Sequence, residues 1–73
     1  MNRFDLETTD FKVARKMLMT YLRGVDSTLE LKAGRNSAFV FIDYPWGLSD
    51  TFLLERKGKM IIALFISNYE TEK

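Results

Sequence analysis

The chain has 73 residues, with 11 basic and 10 acidic side chains and neither cysteine nor histidine. This length predicts a single domain over residues 1–73, and the near-neutral charge provides no overall attraction to nucleic acid or to an anionic membrane. A disulfide framework is excluded, and the usual ligands of zinc and copper sites are missing. We therefore expect no metal centre and no cofactor.

No stretch is apolar over the roughly 20 residues that a membrane-spanning helix needs. The N-terminus also lacks the basic start and apolar run of a secretory signal. The sequence therefore predicts a cytoplasmic protein that has no membrane partner.

One helix is predicted in the N-terminal third, after a segment that forms either a short edge strand or an extended arm. Thr8, Thr9 and Asp10 are suitable N-terminal caps, and Gly24 stands where a left-handed residue commonly ends a helix. Six apolar residues recur at helical spacing and are expected to face the core. They are Phe11, Ala14, Met17, Leu18, Tyr21 and Leu22.

The opposite side of this helix is predicted to be basic. Lys12, Arg15, Lys16 and Arg23 are expected to surround Met19 with no acidic residue among them, although compensating pairs four residues apart are common on helices. Such a side is either a dock for phosphates or for an acidic protein surface, or a solvated face without a partner.

From Val25 the apolar pattern changes to the alternation of β-strands. Strands are predicted at residues 27–32, 39–42, 51–55 and 60–66, with turns at residues 33–36, 44–47 and 57–58 and a polar tail from residue 67 that frays. The order predicts an α+β domain. One N-terminal helix packs on a four-stranded antiparallel meander, with or without a short extra N-terminal strand.

The strands at residues 39–42 and 60–66 are apolar on both faces, and a single helix covers only one of them. The other face is either covered by strong curling of the sheet or by a second copy of the chain. Because a domain this small gains stability from a partner subunit, we expect a homodimer.

No pattern of catalytic residues is present, so we predict that the chain is not an enzyme. The usual general base and the strongest nucleophile are absent, and there is no nucleotide-binding glycine loop. Asp43 and Asp50 flank one turn and could approach each other as an acid and base pair. Ending strands and bonding turn amides is the alternative role for these carboxylates.

Two loops carry the clearest surface signals. Tyr44 and Trp46 lie on the turn around Pro45, and aromatic residues of this kind either anchor a protein partner or close the end of a small sheet. Arg56, Lys57 and Lys59 make a basic hairpin tip, which either contacts phosphates or protects a strand edge.

The sequence thus predicts a small protein-binding, accessory or inhibitory module. The alternative is a nucleic-acid-binding module, which would need the basic tip, the aromatic turn and the basic helix side on one surface. The candidate contacts are Tyr44, Trp46, Arg56, Lys57, Lys59, Lys12, Arg15 and Lys16.

Overall fold

A computed structural model describes residues 3–34 and 36–70. It contains five strands and one helix: β1 (Arg3–Leu6), α1 (Phe11–Leu22), β2 (Asp26–Leu31), β3 (Ser37–Asp43), β4 (Leu48–Lys57) and β5 (Met60–Glu70). Two parts of the prediction lie outside the described residues: Arg35 in the turn predicted at residues 33–36, and residues 71–73 of the predicted tail.

All neighbouring strands are antiparallel, in the order β1-β5-β4-β3-β2. Strands β2 to β5 form the predicted meander, and the N-terminal segment forms an additional edge strand beside β5. The predicted α+β architecture is therefore confirmed. Because β1 and β2 are the two edges, the connection that contains α1 runs across the whole width of the sheet.

The helix begins at a side-chain cap and buries a narrow apolar stripe. The Asp10 carboxylate accepts a hydrogen bond of 2.8 Å from the backbone N–H of Lys12, which satisfies one of the donors left free at a helix N-terminus. Phe11, Ala14 and Leu18 are buried against the sheet. Their spacing of three and four residues places them on one side of α1.

The core stripe of α1 is rotated relative to the predicted one. Met17 and Tyr21 were expected in the core, but they are 36% and 70% exposed, whereas Met19 packs against the core from the side expected to be basic. The cause is the position of α1 over β2 and β3. Tyr21 consequently faces β1, which has only four residues and cannot cover it.

The core lies between α1 and the near face of the sheet. Residues directly opposite on neighbouring strands share a face, so the register groups the buried side chains into transverse rows. Leu54 pairs with Ala38 on one side and with Ala63 on the other, and Ala63 pairs with Phe4. Such rows place buried residues of four strands beneath the helix.

Strands β4 and β5 are longer than predicted. Residues 67–70 pair with residues 48–51, so the expectation that the chain frays from residue 67 is wrong up to residue 70. A register shift separates the pairs Thr51↔Ser67 and Phe52↔Phe65, and Ile66 has no partner there. This is a β-bulge, which lets the polar end of β5 continue the backbone ladder after its apolar run.

Arg23, and not Gly24, adopts the left-handed conformation that ends the helix. Arg23 has a φ of 62°, and Gly24 N–H donates a 3.0 Å bond to the Met19 carbonyl, as in a Schellman motif. Gly24 is needed for space instead: a Cβ there would lie 2.5 Å from Cγ2 of Ile42, which is fully buried.

This cap predicts opposite effects for two neighbouring substitutions. Arg23→Gly should raise the free energy of unfolding by about 1 kcal/mol, because a left-handed conformation is costly for a residue with a Cβ. Gly24→Ala should lower it by about 1–3 kcal/mol, because the methyl group collides with Ile42 in a packed region. Urea denaturation at one fixed protein concentration measures both.

A lower free energy of unfolding for Arg23→Gly, together with a higher one for Gly24→Ala, would contradict the roles given to these two residues. Arg23→Ala is the matched control for Arg23→Gly, because it also removes the guanidinium but keeps the Cβ. It should leave the free energy of unfolding within about 0.5 kcal/mol of the starting chain, as is usual for exposed positions.

Candidate interaction surfaces

Residues 44–47 form a tight turn between β3 and β4. The Gly47 N–H donates to the Tyr44 carbonyl at 3.2 Å, and the Tyr44 N–H donates to the Leu48 carbonyl at 2.9 Å. Gly47 has a φ of 87°, a conformation that glycine adopts without steric cost. Proline at the first corner and glycine at the end of the turn are the residues that this geometry favours.

The turn holds Trp46 on a rigid platform. The rings of Trp46 and Tyr44 are stacked, with centroids 4.8 Å apart and an angle of 6° between planes. Tyr44 is only 8% exposed and its hydroxyl donates a 2.8 Å bond to Asp50, whereas Trp46 is 60% exposed. Tyr44 therefore positions the indole from below, and Trp46 presents the exposed aromatic surface.

The environment of Tyr44 favours its neutral phenol. Burial raises its pKa, and the hydrogen bond to the Asp50 carboxylate and the charge of that carboxylate raise it further. The phenol therefore keeps its proton and can donate this hydrogen bond at any pH near neutrality.

Asp43 and Asp50 lie on opposite faces of the sheet, because Asp50 is opposite Ile42 and Asp43 is opposite Ser49. The Ser49 hydroxyl donates a 2.6 Å bond to Asp43, and Asp50 accepts from Tyr44. The two carboxylates therefore do not approach each other. Each carboxylate accepts a hydrogen bond from a side-chain hydroxyl beside the turn. The sequence had predicted backbone amides of the turn as the donors.

The basic hairpin tip lies at the opposite end of β4 from Trp46. Strand β4 has 10 residues, which at about 3.3 Å per residue separates the two ends by roughly 30 Å. Lys57 and Lys59 are exposed at this tip. The tip and the aromatic turn therefore do not form one continuous surface.

Arg56 ties the hairpin tip to the start of the helix. Its guanidinium carbon lies 4.5 Å from the centroid of the Phe11 ring, and its Nε donates a 3.0 Å bond to the Thr9 carbonyl. Lys12 and Arg56 both line a shallow cleft at this end of α1. Of the predicted basic contacts, these two are brought together.

Arg15 and Lys16, the other two basic candidates on α1, do not line that cleft. Arg15 is half-buried, and its Nη1 lies 3.2 Å from the hydroxyl and 3.4 Å from the carbonyl of Ser27 in β2. Lys16 is exposed and borders Met17 and Tyr21 on the far side of the helix. Arg15 thus connects α1 to an edge strand, and Lys16 belongs to a different surface.

An exposed apolar flank runs along α1, beside the core stripe that the sequence predicted. Val13, Met17 and Tyr21 are 43%, 36% and 70% exposed and stand four residues apart, so they form a stripe along the helix. The Tyr21 ring meets Phe4 of β1 edge-on, with centroids 5.3 Å apart. The spacing of Val13 from Met17 and Tyr21 was a signal for a stripe separate from the core.

The face of the sheet opposite α1, here called the open face, has an apolar centre. The register and the alternation of side chains place five apolar residues on it, all at least partly buried by their neighbours. They are Phe39, Phe41, Leu53, Ile62 and Leu64. Among the described residues, α1 packs on the opposite face, against β2 and β3, and on the open face the Lys32 ammonium lies 5.0 Å from the centroid of the Phe39 ring.

Within residues 3–34 and 36–70, no helix is long and apolar enough to cross a membrane. In the same part of the chain, no group of three or more carboxylates is placed to hold a metal ion. Comparison with known proteins finds no matching family model, no matching curated protein and no matching solved structure.

The raised pKa of Tyr44 predicts a loss of stability in alkaline solution. An unfolded tyrosine releases its proton near pH 10, whereas the folded chain retains it at Tyr44. Above about pH 10 the unfolded state therefore binds fewer protons, and the free energy of unfolding falls as the pH rises. Tyr44→Phe should flatten this fall, and at neutral pH it should cost about 1 kcal/mol through the lost hydrogen bond.

Chemical denaturation at neutral pH and in steps above about pH 10 measures this effect. Asp50→Asn is the matched control, since it keeps a hydrogen-bond acceptor but removes the charge, and it should flatten the fall only in part. An alkaline fall of the same size in Tyr44→Phe and in the starting chain would show that Tyr44 is not its source.

Proposed function

We propose that this chain is a small cytoplasmic protein-binding module, homodimeric, that acts as an accessory or inhibitory protein and not as a catalyst. Its partner is another protein, and Trp46 is the anchor of that contact. The homodimer uses the open face of the sheet, so that the two surfaces serve different partners.

The single observation that carries this proposal is the stacked geometry of Trp46 on Tyr44. Tryptophan is among the residues most enriched at binding hot spots. An exposed side chain normally loses rotamer freedom when a partner binds, and that loss weakens binding. Here the indole is already stacked on a buried ring that is itself bonded to Asp50, so much of this cost is absent.

The apolar centre of the open face supports the homodimer. A contiguous exposed apolar patch is typical of an interface. The five side chains of the open face bury one another in part, and α1, the helix of the described residues, lies on the other face. A domain of one helix and five strands over the described residues also has a small core, which a second copy would enlarge.

The placement of the cations supports a protein partner over a nucleic acid. Single-stranded nucleic acid is bound by bases stacked on aromatic rings beside a positively charged groove. Trp46 lies just before the start of β4, whereas Lys57 is the last residue of β4 and Lys59 follows it in the turn. Arg15 donates to Ser27. A platform of this kind is therefore not assembled around Trp46.

A crosslinking and titration experiment tests the proposal. A photo-crosslinking residue at the exposed Pro45, beside Trp46, should capture a protein in cells that make this chain. Binding of that purified protein is then followed by the fluorescence of Trp46, which is the only tryptophan of the chain. Trp46→Ala should weaken this binding by about thirtyfold or more, which corresponds to about 2 kcal/mol for a hot spot, as measured by calorimetry.

Tyr21→Ala is the matched control, because Tyr21 is a similarly exposed aromatic on a different surface, and it should change the affinity by less than about threefold, the range of exposed positions outside an interface. Removal of Lys57 and Lys59 should also have little effect. Equal binding by Trp46→Ala would contradict the proposal. A captured nucleic acid, bound with steep salt dependence that falls when these lysines are removed, would establish the alternative.

A further inference from the structure

Charges of opposite sign alternate along both edges of the open face. On the β2 side, Glu30 is followed by Lys32, and on the β1 side, Arg3 is followed by Asp5. Alternation along a strand gives residues two apart the same face. The ring contact of Lys32 with Phe39 confirms that its side chain lies over the open face.

The register aligns these charges in two transverse rows. Leu53 lies at the centre of the first row, between Phe39 and Leu64, and the edges of this row are Glu30 and Arg3. The second row runs through Glu55 and Ile62 to Asp5 at the β1 edge. At its other edge the Lys32 N–H donates to the Ser37 carbonyl opposite Glu55. Each row therefore has opposite charges at its two ends.

We propose that two copies of this chain pack open face to open face about a two-fold axis that runs parallel to the strands over β4. This inference rests on the homodimer of the proposed function and assigns its symmetry and its charged contacts. The arrangement is an aligned two-sheet sandwich, in which the strands of facing sheets keep nearly the same direction.

The charge pattern selects this axis. A two-fold axis along the central strand exchanges the β1 and β2 edges without moving a residue along the strand direction. Glu30 therefore faces Arg3 of the second copy, and Lys32 faces Asp5 of the second copy. By symmetry each contact occurs twice, so the dimer gains four contacts between opposite charges.

The apolar centre is complementary to itself about the same axis. Leu53 of β4 lies on the axis and meets Leu53 of the second copy, while Phe39 meets Leu64 across it. Five strands spaced about 4.8 Å apart give a face roughly 24 Å wide.

Alternation also places Glu55, Lys57, Asp43 and Asp26 on the open face. Lys57 at the end of β4 meets Lys57 of the second copy, while Asp43 and Asp26 lie beyond the two rows. Glu55 lies on β4 in the second row and therefore meets Glu55 of the second copy near the axis. This like-charge contact opposes association, so Glu55→Gln should strengthen the dimer. Arg3 and Asp5 form an exposed ion pair of 3.0 Å within one chain, which the second copy's charges extend into a network.

A competing axis, perpendicular to the strands, makes a different set of contacts. If it passes between the two rows, Arg3 faces Asp5 of the second copy and Glu30 faces Lys32 of the second copy. Charge reversal at both Glu30 and Arg3 separates the two arrangements. It restores opposite charges about the axis along β4, and it creates like charges in every contact of the competing dimer.

The test is the dimer dissociation constant, measured by sedimentation equilibrium over a dilution series. Glu30→Arg and Arg3→Glu should each weaken the dimer by about tenfold, because each reverses two contacts per dimer. The chain with both substitutions should return to within about threefold of the starting affinity. Both positions are exposed, and circular dichroism verifies that the variants are folded.

Each result has a distinct meaning. A double variant that restores affinity, together with a tighter Glu55→Gln dimer, supports the axis along β4. Two results overturn this arrangement but leave the homodimer. In one, the double variant dimerises less tightly than either single variant. In the other, neither the single variants nor the double variant changes the dissociation constant. A chain that is monomeric at every concentration overturns both the arrangement and the homodimer, while binding through Trp46 is tested separately by calorimetry.

Discussion

The packing of α1 against one face of the sheet is the contact on which the rest of the structure depends. A helix of 12 residues is about 18 Å long, whereas five strands are roughly 24 Å wide. The helix can therefore cover part of one face and none of the other. Its position over β2 and β3 leaves an apolar flank near β1 exposed, and it leaves the open face without a layer of its own.

The attachment of both ends of α1 explains why the helix takes this position. Arg56 contacts Phe11 and Thr9 at the first turn. At the last turn Gly24 allows the chain to approach Ile42, and the Val25 N–H donates a 2.8 Å bond to the Asp43 carbonyl. These contacts direct the chain from the helix into β2 and bring that end of α1 close to β3. The exposed flank is a consequence of this placement.

Local patterns in the sequence were sufficient to predict the helix, the strands of the meander and their order along the chain. Alternation and turn residues predicted the meander, because strand faces follow directly from a period of two. The rotation of α1 could not be predicted, since Met17 and Met19 are equally suited to a core by composition. The role of Gly24 depends on a contact with Ile42, 18 positions away in the sequence, and no local pattern contains that distance.

The candidate surfaces were predicted less completely, for the same physical reason. Trp46 was identified from its residue type and its turn, but its stacking on a buried Tyr44 depends on the position of Asp50 in β4. The basic residues were treated as one possible patch, and the structure divides them between a cleft, a hairpin tip and a bond to Ser27. Convergence depends on register, which one sequence does not contain.

The pairing of the first strand with the last has a consequence for how the chain folds during synthesis. Arg3 pairs with Leu64 and Leu6 with Ile61, so β1 has no strand partner until residues 61–64 have been made. Contacts between residues so distant in sequence make folding slower than in helical proteins of similar size. Until β5 emerges, the apolar side chains of β1 lack the strand against which they pair, and they are available for aggregation or for contact with a chaperone.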